Sequence, residues 1–206
     1  MKKNVITMLY AIMLGVICAA IPTAVVMYTA PLRDANAKAE EIRNIFEVLE
    51  IKFDKHAKSA DLVSQFGTDV KTETFGSTRV YVKPEGADSA KRIVAVPFSG
   101  RGIWGPIKGF LSLEADYTTI HGISFYQQEE TPGLGGEISS AQFRAKFRGK
   151  SIVDAAGKPG FHIRRNGAHE QNVIDGISGA TLTCKKVDAL VNDLATHFYE
   201  ERTHVR

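Results

Sequence analysis

The chain has 206 residues, of which 44% are hydrophobic and 24% are charged, with 26 Lys and Arg against 23 Asp and Glu. The net charge of +3 is spread without a basic tail or stripe, which argues against nucleic-acid binding. The two cysteines, Cys18 and Cys184, are far apart and have no zinc-type spacing, so we expect neither a disulfide framework nor a metal site.

The N-terminal segment is apolar, because residues 5–27 contain no charged side chain. As a helix this run reaches roughly 35 Å, enough to cross a ~30 Å hydrocarbon core. Lys2 and Lys3 precede it and favour a cytoplasmic N-terminus. We therefore predict a single-pass anchor over residues 1–30, with the rest of the chain on the outer face of the membrane.

A cleaved signal peptide is the alternative for this segment. Its apolar region is normally 7–15 residues long and is followed by a small-x-small cleavage site. Residues 35–37, Ala-Asn-Ala, would serve as such a site. The apolar run is too long for a signal peptide, which favours an uncleaved anchor.

A helical, membrane-proximal segment is predicted over residues 31–70. Apolar residues recur at helical spacing from 32 to 49, and residues 61–66 indicate a further helical turn. From residue 77 the apolar period becomes two, which predicts strands over 79–83, 92–98, 107–114 and 119–127. Turn sequences at 84–86, 99–105 and 115–117 separate these strands, and the last two strands form an antiparallel hairpin.

The remaining elements are mostly helical. Residues 140–147 predict a short helix and 161–165 another strand, while apolar residues at helical spacing predict a C-terminal helix: Val187, Leu190, Val191, Leu194 and Phe198. A block of strands among helices predicts an α+β fold. We expect a transmembrane helix followed by one domain, residues 71–206, with a mainly antiparallel sheet flanked by helices.

The most informative segment is residues 175–183, DGISGATLT, just before the final helix. A turn that feeds a helix N-terminus offers unpaired N–H groups and a positive dipole end to a phosphate. The positive charges of Lys185 and Lys186 are unfavourable at the positive end of the helix dipole unless a negative group binds there. The alternative is that Thr181 or Thr183 caps the helix, worth about 1 kcal/mol.

The pattern Asp-x-x-Ser-Gly-Ala-Thr-x-Thr resembles the signature of the FMN-binding domain family. This domain is found in the C subunit of the Na+-translocating NADH:quinone oxidoreductase and in the G subunit of the related Rnf complex. Segments 102–105, 109–114, 122–126 and 130–137 resemble the same C subunit in the same order. Residues 103–104 favour the quinone oxidoreductase, although the short stretch after residue 51 leaves the Rnf subunit as an alternative.

The resemblance implies that the hydroxyl of Thr183 is esterified to the phosphate of FMN by a Mg2+-dependent flavin transferase that uses FAD. It implies an electron-transfer subunit that works with the other subunits of a membrane redox complex and is not catalytic alone. Asp175 would belong to the signal that the transferase recognises, or would only form a turn. A threonine hydroxyl needs an adjacent base, and no histidine lies near Thr183 in sequence, so we expect a separate transferase.

The Gly- and Pro-rich loop at 130–136 then becomes the expected wall of the isoalloxazine site. Thr131 and backbone N–H groups would bond polar ring atoms, Leu134 would cover a ring face, and Trp104 would add an aromatic surface or serve a core or interface role. No catalytic or metal-binding residue is predicted. The predicted cofactor-binding residues are Trp104, Glu130, Thr131, Gly133, Leu134, Gly135, Ser178, Gly179, Ala180, Thr181, Leu182, Thr183 and Lys185.

The residues alone suggest two other functions, and only one of them stays open. Residues 100–105, GRGIWG, fit the dinucleotide fingerprint, but the following residues alternate as a strand, and the fingerprint works only before a helix. We therefore exclude a nicotinamide site there. A membrane-tethered binding module without flavin, in which Thr183 is only a helix cap, stays open from the residues.

Overall fold

A computed structural model describes residues 2–84, 92–166 and 169–204, so most of the predicted turn at 84–86 lies outside it. Contacts divide the chain into two units, Met1–Ala39 and Glu40–Arg206. The sequence patterns place boundaries after residues 30 and 70 instead. The difference arises because the residues after Ala39 supply buried side chains, among them Ile42, Ile45 and Phe46, to the second unit.

Helix α1, Lys2–Val48, runs without interruption through Pro22 and Pro31. The hydroxyl of Thr23, next to Pro22, donates to the carbonyl oxygen of Ala19 at 2.8 Å, which gives that hydroxyl a partner within the helix. The apolar side chains of its first half are exposed. Within the described residues, one helix is long and apolar enough to cross a membrane, Asn4–Val48.

The second unit is built on a five-stranded antiparallel sheet whose strands follow chain order. The α+β prediction is confirmed. Strand β1 was not predicted, because its side chains are almost all polar and show no apolar period. Polar, largely exposed side chains are common on a strand at the edge of a sheet. The strands are β1 Lys71–Phe75, β2 Thr78–Val82, β3 Val94–Arg101, β4 Pro106–Leu113 and β5 Ile120–Gln127.

Both faces of the sheet are covered. Helix α4, Thr181–His204, lies against one face and buries Val187, Val191 and Phe198 in the main core. On the other face the Phe110 ring contacts Tyr81, whose ring meets Phe66 in helix α2, Ser59–Asp69. Burial on both sides explains why β4 is almost continuously buried rather than alternating.

The remaining elements link β5 to α4. They are a 3-10 helix at Gly135–Ser139, helix α3 at Ala141–Ala145, and a parallel pair of short strands, β6 His162–Arg164 and β7 Val173–Asp175. The predicted short helix and the strand at 161–165 are confirmed, whereas β7 and the 3-10 helix were not predicted.

The pair β6–β7 is attached to α4 by side-chain bonds to its backbone. Asn192 accepts from the Phe161 N–H at 2.9 Å and donates to the Phe161 carbonyl oxygen at 2.7 Å. Asp188 accepts from the Ile163 N–H at 2.7 Å. These bonds hold β6 against α4.

Candidate functional site

Thr183 is the third residue of α4 and is almost completely buried, with 2% of its surface exposed. Its hydroxyl donates a hydrogen bond to Oε2 of Glu130 at 2.7 Å. Glu130 is also buried, at 5% exposure, and lies 53 residues earlier in the chain. A buried carboxylate thus stands directly against the hydroxyl that the sequence singled out.

The second oxygen of Glu130 is held by the turn that joins β3 to β4. Its Oε1 accepts from the backbone N–H of Ile103 at 2.7 Å and, at 3.5 Å, from that of Trp104. The turn is closed by the Gly102 N–H, which donates to the Gly105 carbonyl oxygen at 2.8 Å. Glu130 therefore ties the hairpin tip to the start of α4. The turn leads into strand β4 and not into a helix, as the alternating pattern after residue 105 predicted.

The loop at 130–136 is folded on itself. The carbonyl oxygen of Thr131 accepts from the N–H groups of Leu134 at 3.1 Å and Gly136 at 2.9 Å. These two N–H groups are therefore paired within the loop. Thr131 and Gly133 are exposed, while Gly135 is buried.

Gly135 lies against the Thr183 hydroxyl. A Cβ at this position would lie 2.4 Å from Oγ1 of Thr183 and 2.9 Å from Oε2 of Glu130. No side chain fits at that distance, so only glycine allows the loop to close over the hydroxyl.

Helix α4 begins earlier than the sequence indicates. The Cys184 N–H donates to the carbonyl oxygen of Ala180 at 3.0 Å, so Ala180 stands at the N-cap and Thr181 is the first helical residue. Gly179, with φ of 79°, makes the turn into the helix. The Thr183 hydroxyl is bonded to Glu130, so the interpretation of Thr183 as a helix cap is wrong. Lys185 falls in the second turn, not the first.

A cavity of about 400 Å³ opens beside the N-terminus of α4. Among its lining residues are the predicted Ser178, Gly179, Thr181 and Lys185, together with Arg164 and Arg165. Thr183 does not line it. The predicted residues therefore fall in two neighbouring groups, one around the Thr183 hydroxyl and one along a basic cavity.

An exposed apolar rim surrounds the buried pair. Trp104 is 71% exposed and Leu182 is 64% exposed, while Ile103 and Leu134 are less so. A core role for Trp104 is therefore wrong. Leu134 approaches the Gly179 backbone, since its Cδ2 lies 3.0 Å from where a Cβ on Gly179 would stand. Exposed apolar side chains of this size, grouped around one hydroxyl, mark a binding surface.

Asp175 and Cys184 flank the site. Asp175 ends β7, and its carbonyl oxygen accepts from Nζ of Lys146 at 3.1 Å. Burial raises the pKa of the Cys184 thiol, although its Sγ accepts from the Ile177 N–H at 3.3 Å. Cys184 is thus a protonated packing residue. Among the residues the structure describes, no group of His, Cys, Asp and Glu is placed to hold a metal ion.

The contact between Glu130 and Thr183 was not predicted from the sequence, where Glu130 was placed only in the loop wall. No local signal pairs two residues that are 53 positions apart. The requirement for a base near the threonine was the one available hint, and it was applied only to histidines close in sequence.

The site lies in a part of the chain that matches a known family. Residues 102–196, a little under half of the chain, match the family model described as an FMN-binding domain. The matched range includes the hairpin tip, the 130–136 loop and the first turns of α4. It thus contains all three elements that meet at Thr183.

Relatives of known sequence agree with this class. The C subunit of the Na(+)-translocating NADH-quinone reductase of Vibrio campbellii is 43% identical over 106 residues, which are 50% of this chain and 40% of the relative. That of Neisseria meningitidis serogroup A is 40% identical over 111 residues, 53% of this chain and 43% of the relative. The chain thus matches less than half of the length of these relatives.

The fold is also that of solved relatives. The crystal structure of the corresponding C subunit from Parabacteroides distasonis has a TM-score of 0.66 and 24% identity, covering 82% of this chain and 94% of that one. Shewanella oneidensis NqrC has a TM-score of 0.63 and 21% identity, covering 81% and 98%. The chain resembles the C subunit of the Na+-translocating NADH-quinone reductase in sequence and in fold.

Proposed function

We propose that this protein is an electron-transfer flavoprotein subunit of a membrane-bound Na+-translocating NADH:quinone oxidoreductase, with FMN joined through its phosphate to Thr183. The proposal depends on the position of Thr183 within the segment that matches the FMN-binding domain. Two loops enclose its hydroxyl, and exposed apolar side chains surround them.

The site suits the parts of FMN. The exposed side chains of Trp104, Leu134 and Leu182 offer apolar surface to an isoalloxazine ring. The α4 N-terminus and Lys185 offer positive potential to the phosphate. FMN when bound supplies the electron chemistry, and the protein supplies attachment, orientation and electrostatics.

The N-terminal helix supports a membrane location. Its apolar residues are exposed along a length sufficient for one crossing, which fits a single-pass inner-membrane protein. Lys2 and Lys3 favour a cytoplasmic N-terminus and hence a periplasmic flavin domain. The proposed partners are the other subunits of the complex and, during maturation, a Mg2+-dependent flavin transferase that reads the segment from Asp175 to Thr183.

The attachment is tested by expressing the full chain with a flavin transferase and measuring flavin fluorescence in denaturing gels. We expect a fluorescent band for the natural protein and none for Thr183→Ala. Thr196→Ala, which removes an exposed hydroxyl from the same helix outside the recognised segment, is the matched control and is expected to fluoresce. Mass spectrometry of the peptide that contains Thr183 should show the added mass of FMN less water.

Two results would contradict the proposal in different ways. A Thr183→Ala protein that still carries flavin would move the attachment to another residue. A natural protein without flavin, made beside a transferase that labels a second acceptor in the same cells, would favour the binding module without flavin.

A further inference from the structure

We propose that Glu130 is the proton acceptor that activates the Thr183 hydroxyl during flavin attachment. The inference rests on the proposed function and assigns a chemical role within it. It follows from the one polar contact that the structure records for the Thr183 hydroxyl, the hydrogen bond to Oε2 of Glu130 at 2.7 Å.

A threonine hydroxyl is protonated at neutral pH and attacks a phosphorus atom well only when a base takes its proton. An acceptor at 2.7 Å lies within the range required of a general base, and the hydroxyl already points its proton toward it. The required base thus lies across the fold, in the loop after β5, and not beside Thr183 in sequence.

Glu130 is held for this role by the hairpin tip. The Ile103 N–H fixes Oε1 at 2.7 Å, which leaves Oε2 directed at Thr183. Burial of both side chains excludes competing water. The charged residues on the adjoining segments are all exposed: Arg101, Glu129, Glu137, Lys185 and Lys186.

The transfer balances in atoms and charge. The Thr183 oxygen bonds to the phosphorus of the FMN half of FAD, the pyrophosphate P–O bond breaks, and AMP leaves with the electron pair of that bond. The threonine proton passes to Glu130. A neutral hydroxyl beside a carboxylate anion thereby becomes a phosphodiester anion beside a neutral carboxyl, so the site carries one negative charge before and after the step.

The test compares full-length Glu130→Gln with the natural chain, using purified transferase, FAD and Mg2+ and following flavin incorporation by mass. We expect the rate at neutral pH to fall about 100-fold or more, as for loss of a general base. Glu129→Gln, which changes an exposed carboxylate next to Glu130, should be labelled at the natural rate.

The pH dependence of the labelling rate distinguishes a role of Glu130 in proton transfer from a purely structural role. The ratio of the natural rate to the Glu130→Gln rate should shrink as the pH falls, because a general base loses its advantage in acid. Because one transferase serves both proteins, its own titration cancels in the ratio. Equal rates, or a slow Glu130→Gln whose ratio does not change with pH, would overturn the proposal.

Glu130→Asp keeps the carboxylate but shortens its reach, and it decides the matter if Glu130→Gln does not fold. We expect a lower rate that still declines at acid pH, whereas a natural rate would refute the proposal. Absence of label on the natural chain and on Glu129→Gln, with a working transferase, would instead reject the proposed flavin attachment.

Discussion

At the residue scale, the site depends on how closely the 130–136 loop approaches α4. Gly135 is the point of contact, since any side chain there would meet both Thr183 and Glu130. The nearest atoms are a short hydroxyl and a carboxylate that the hairpin tip also holds, so neither moves aside freely.

Gly135→Ala is therefore expected to push the loop away from Thr183, with loss of about 1–3 kcal/mol of stability through overpacking. The Glu130–Thr183 bond should be disturbed and the yield of covalent flavin should fall. Thermal unfolding and in-gel fluorescence measure the two effects. Gly67→Ala, where a Cβ meets nothing within 4 Å, is the control, and a fully flavinylated Gly135→Ala would contradict the packing argument.

Trp104→Ala is expected to change the cofactor and not the fold. Because Trp104 is 71% exposed, its truncation should alter the stability of the flavin-free protein by no more than about 0.5 kcal/mol. In the loaded protein, loss of the indole should change the fluorescence and absorption of the flavin. A large loss of stability in the flavin-free protein, or an unchanged flavin spectrum, would rule out a ring contact.

At the scale of elements, α4 acts as the frame of the site. Its N-terminal turns carry Thr183 and line the basic cavity, while its middle holds β6 through Asn192 and Asp188. The N–H and the carbonyl oxygen of Phe161 are both bonded to the Asn192 side chain, and Phe161 is completely buried. The position of β6, and with it the arginines of the cavity, is thus set from within the helix.

Asn192→Ala should leave the buried N–H and carbonyl oxygen of Phe161 without partners. The expected cost is about 1–3 kcal/mol in the free energy of unfolding, measured by denaturant titration. Thr196→Ala removes an exposed hydroxyl that bonds to the Asn192 carbonyl oxygen in its own helix, and it should have little effect. A change of equal size in both variants would show that the bonds to Phe161 are not the cause.

The residues just after α1 are tied to β5 and to the segment after α3 by a pH-dependent contact. The Arg148 hydrogen bond, with a further contribution from His121, holds the pKa of Glu50 below its usual range despite partial burial. A lowered carboxyl pKa contributes stability above the pKa of the unfolded state and loses it as the pH falls through the folded value. Glu50 is half-exposed, so solvent screens the effect.

Glu50→Gln should lower the free energy of unfolding slightly at pH 7, by about 0.5 kcal/mol or less, and the difference should vanish in acid. Thermal melts across pH measure it. Arg148→Ala should have a similar effect, and the double variant should cost less than the sum because the two residues share one contact. Additive effects would contradict the pairing.

Helices and strands could be predicted from the sequence more fully than the contacts between them. Apolar periodicity identified β2 to β5, α4 and the early helices, because each has several residues with a regular period. Strand β7 has three residues and β1 is polar, so neither has a period to detect. The Glu130–Thr183 bond needed the fold itself, since sheet topology brings the end of β5 to the start of α4.

At the scale of the whole molecule, the two units have opposite surface chemistry. The first, Met1–Ala39, exposes apolar side chains along its helix, while the second buries its apolar residues in a core of its own. Such a division favours a folded domain carried by a membrane helix.

A chain that begins at residue 40 is therefore expected to leave the membrane fraction and to keep the unfolding midpoint of the full-length domain within a few degrees. Sedimentation of membranes followed by thermal melting tests both statements. The full-length chain should resist extraction by alkaline carbonate, and N-terminal sequencing should find residues 1–30 present. Their removal in the mature protein would favour the signal-peptide interpretation.

Because Gly135 closes the loop over Thr183, we expect flavin attachment and docking onto a partner to occur in a fixed order. The Gly135 backbone stands so near the Thr183 hydroxyl that we expect attachment of a phosphate to need the loop around Gly135 to move outward, while the hairpin tip keeps Glu130 in place. We therefore expect loading to precede docking onto any neighbour that clamps this loop, and we expect the loop of a loaded chain to stay displaced. The conformation of this glycine-rich loop would then differ between flavin-free and flavin-loaded protein. An antibody raised to the closed loop should bind the flavin-free chain and not the loaded one.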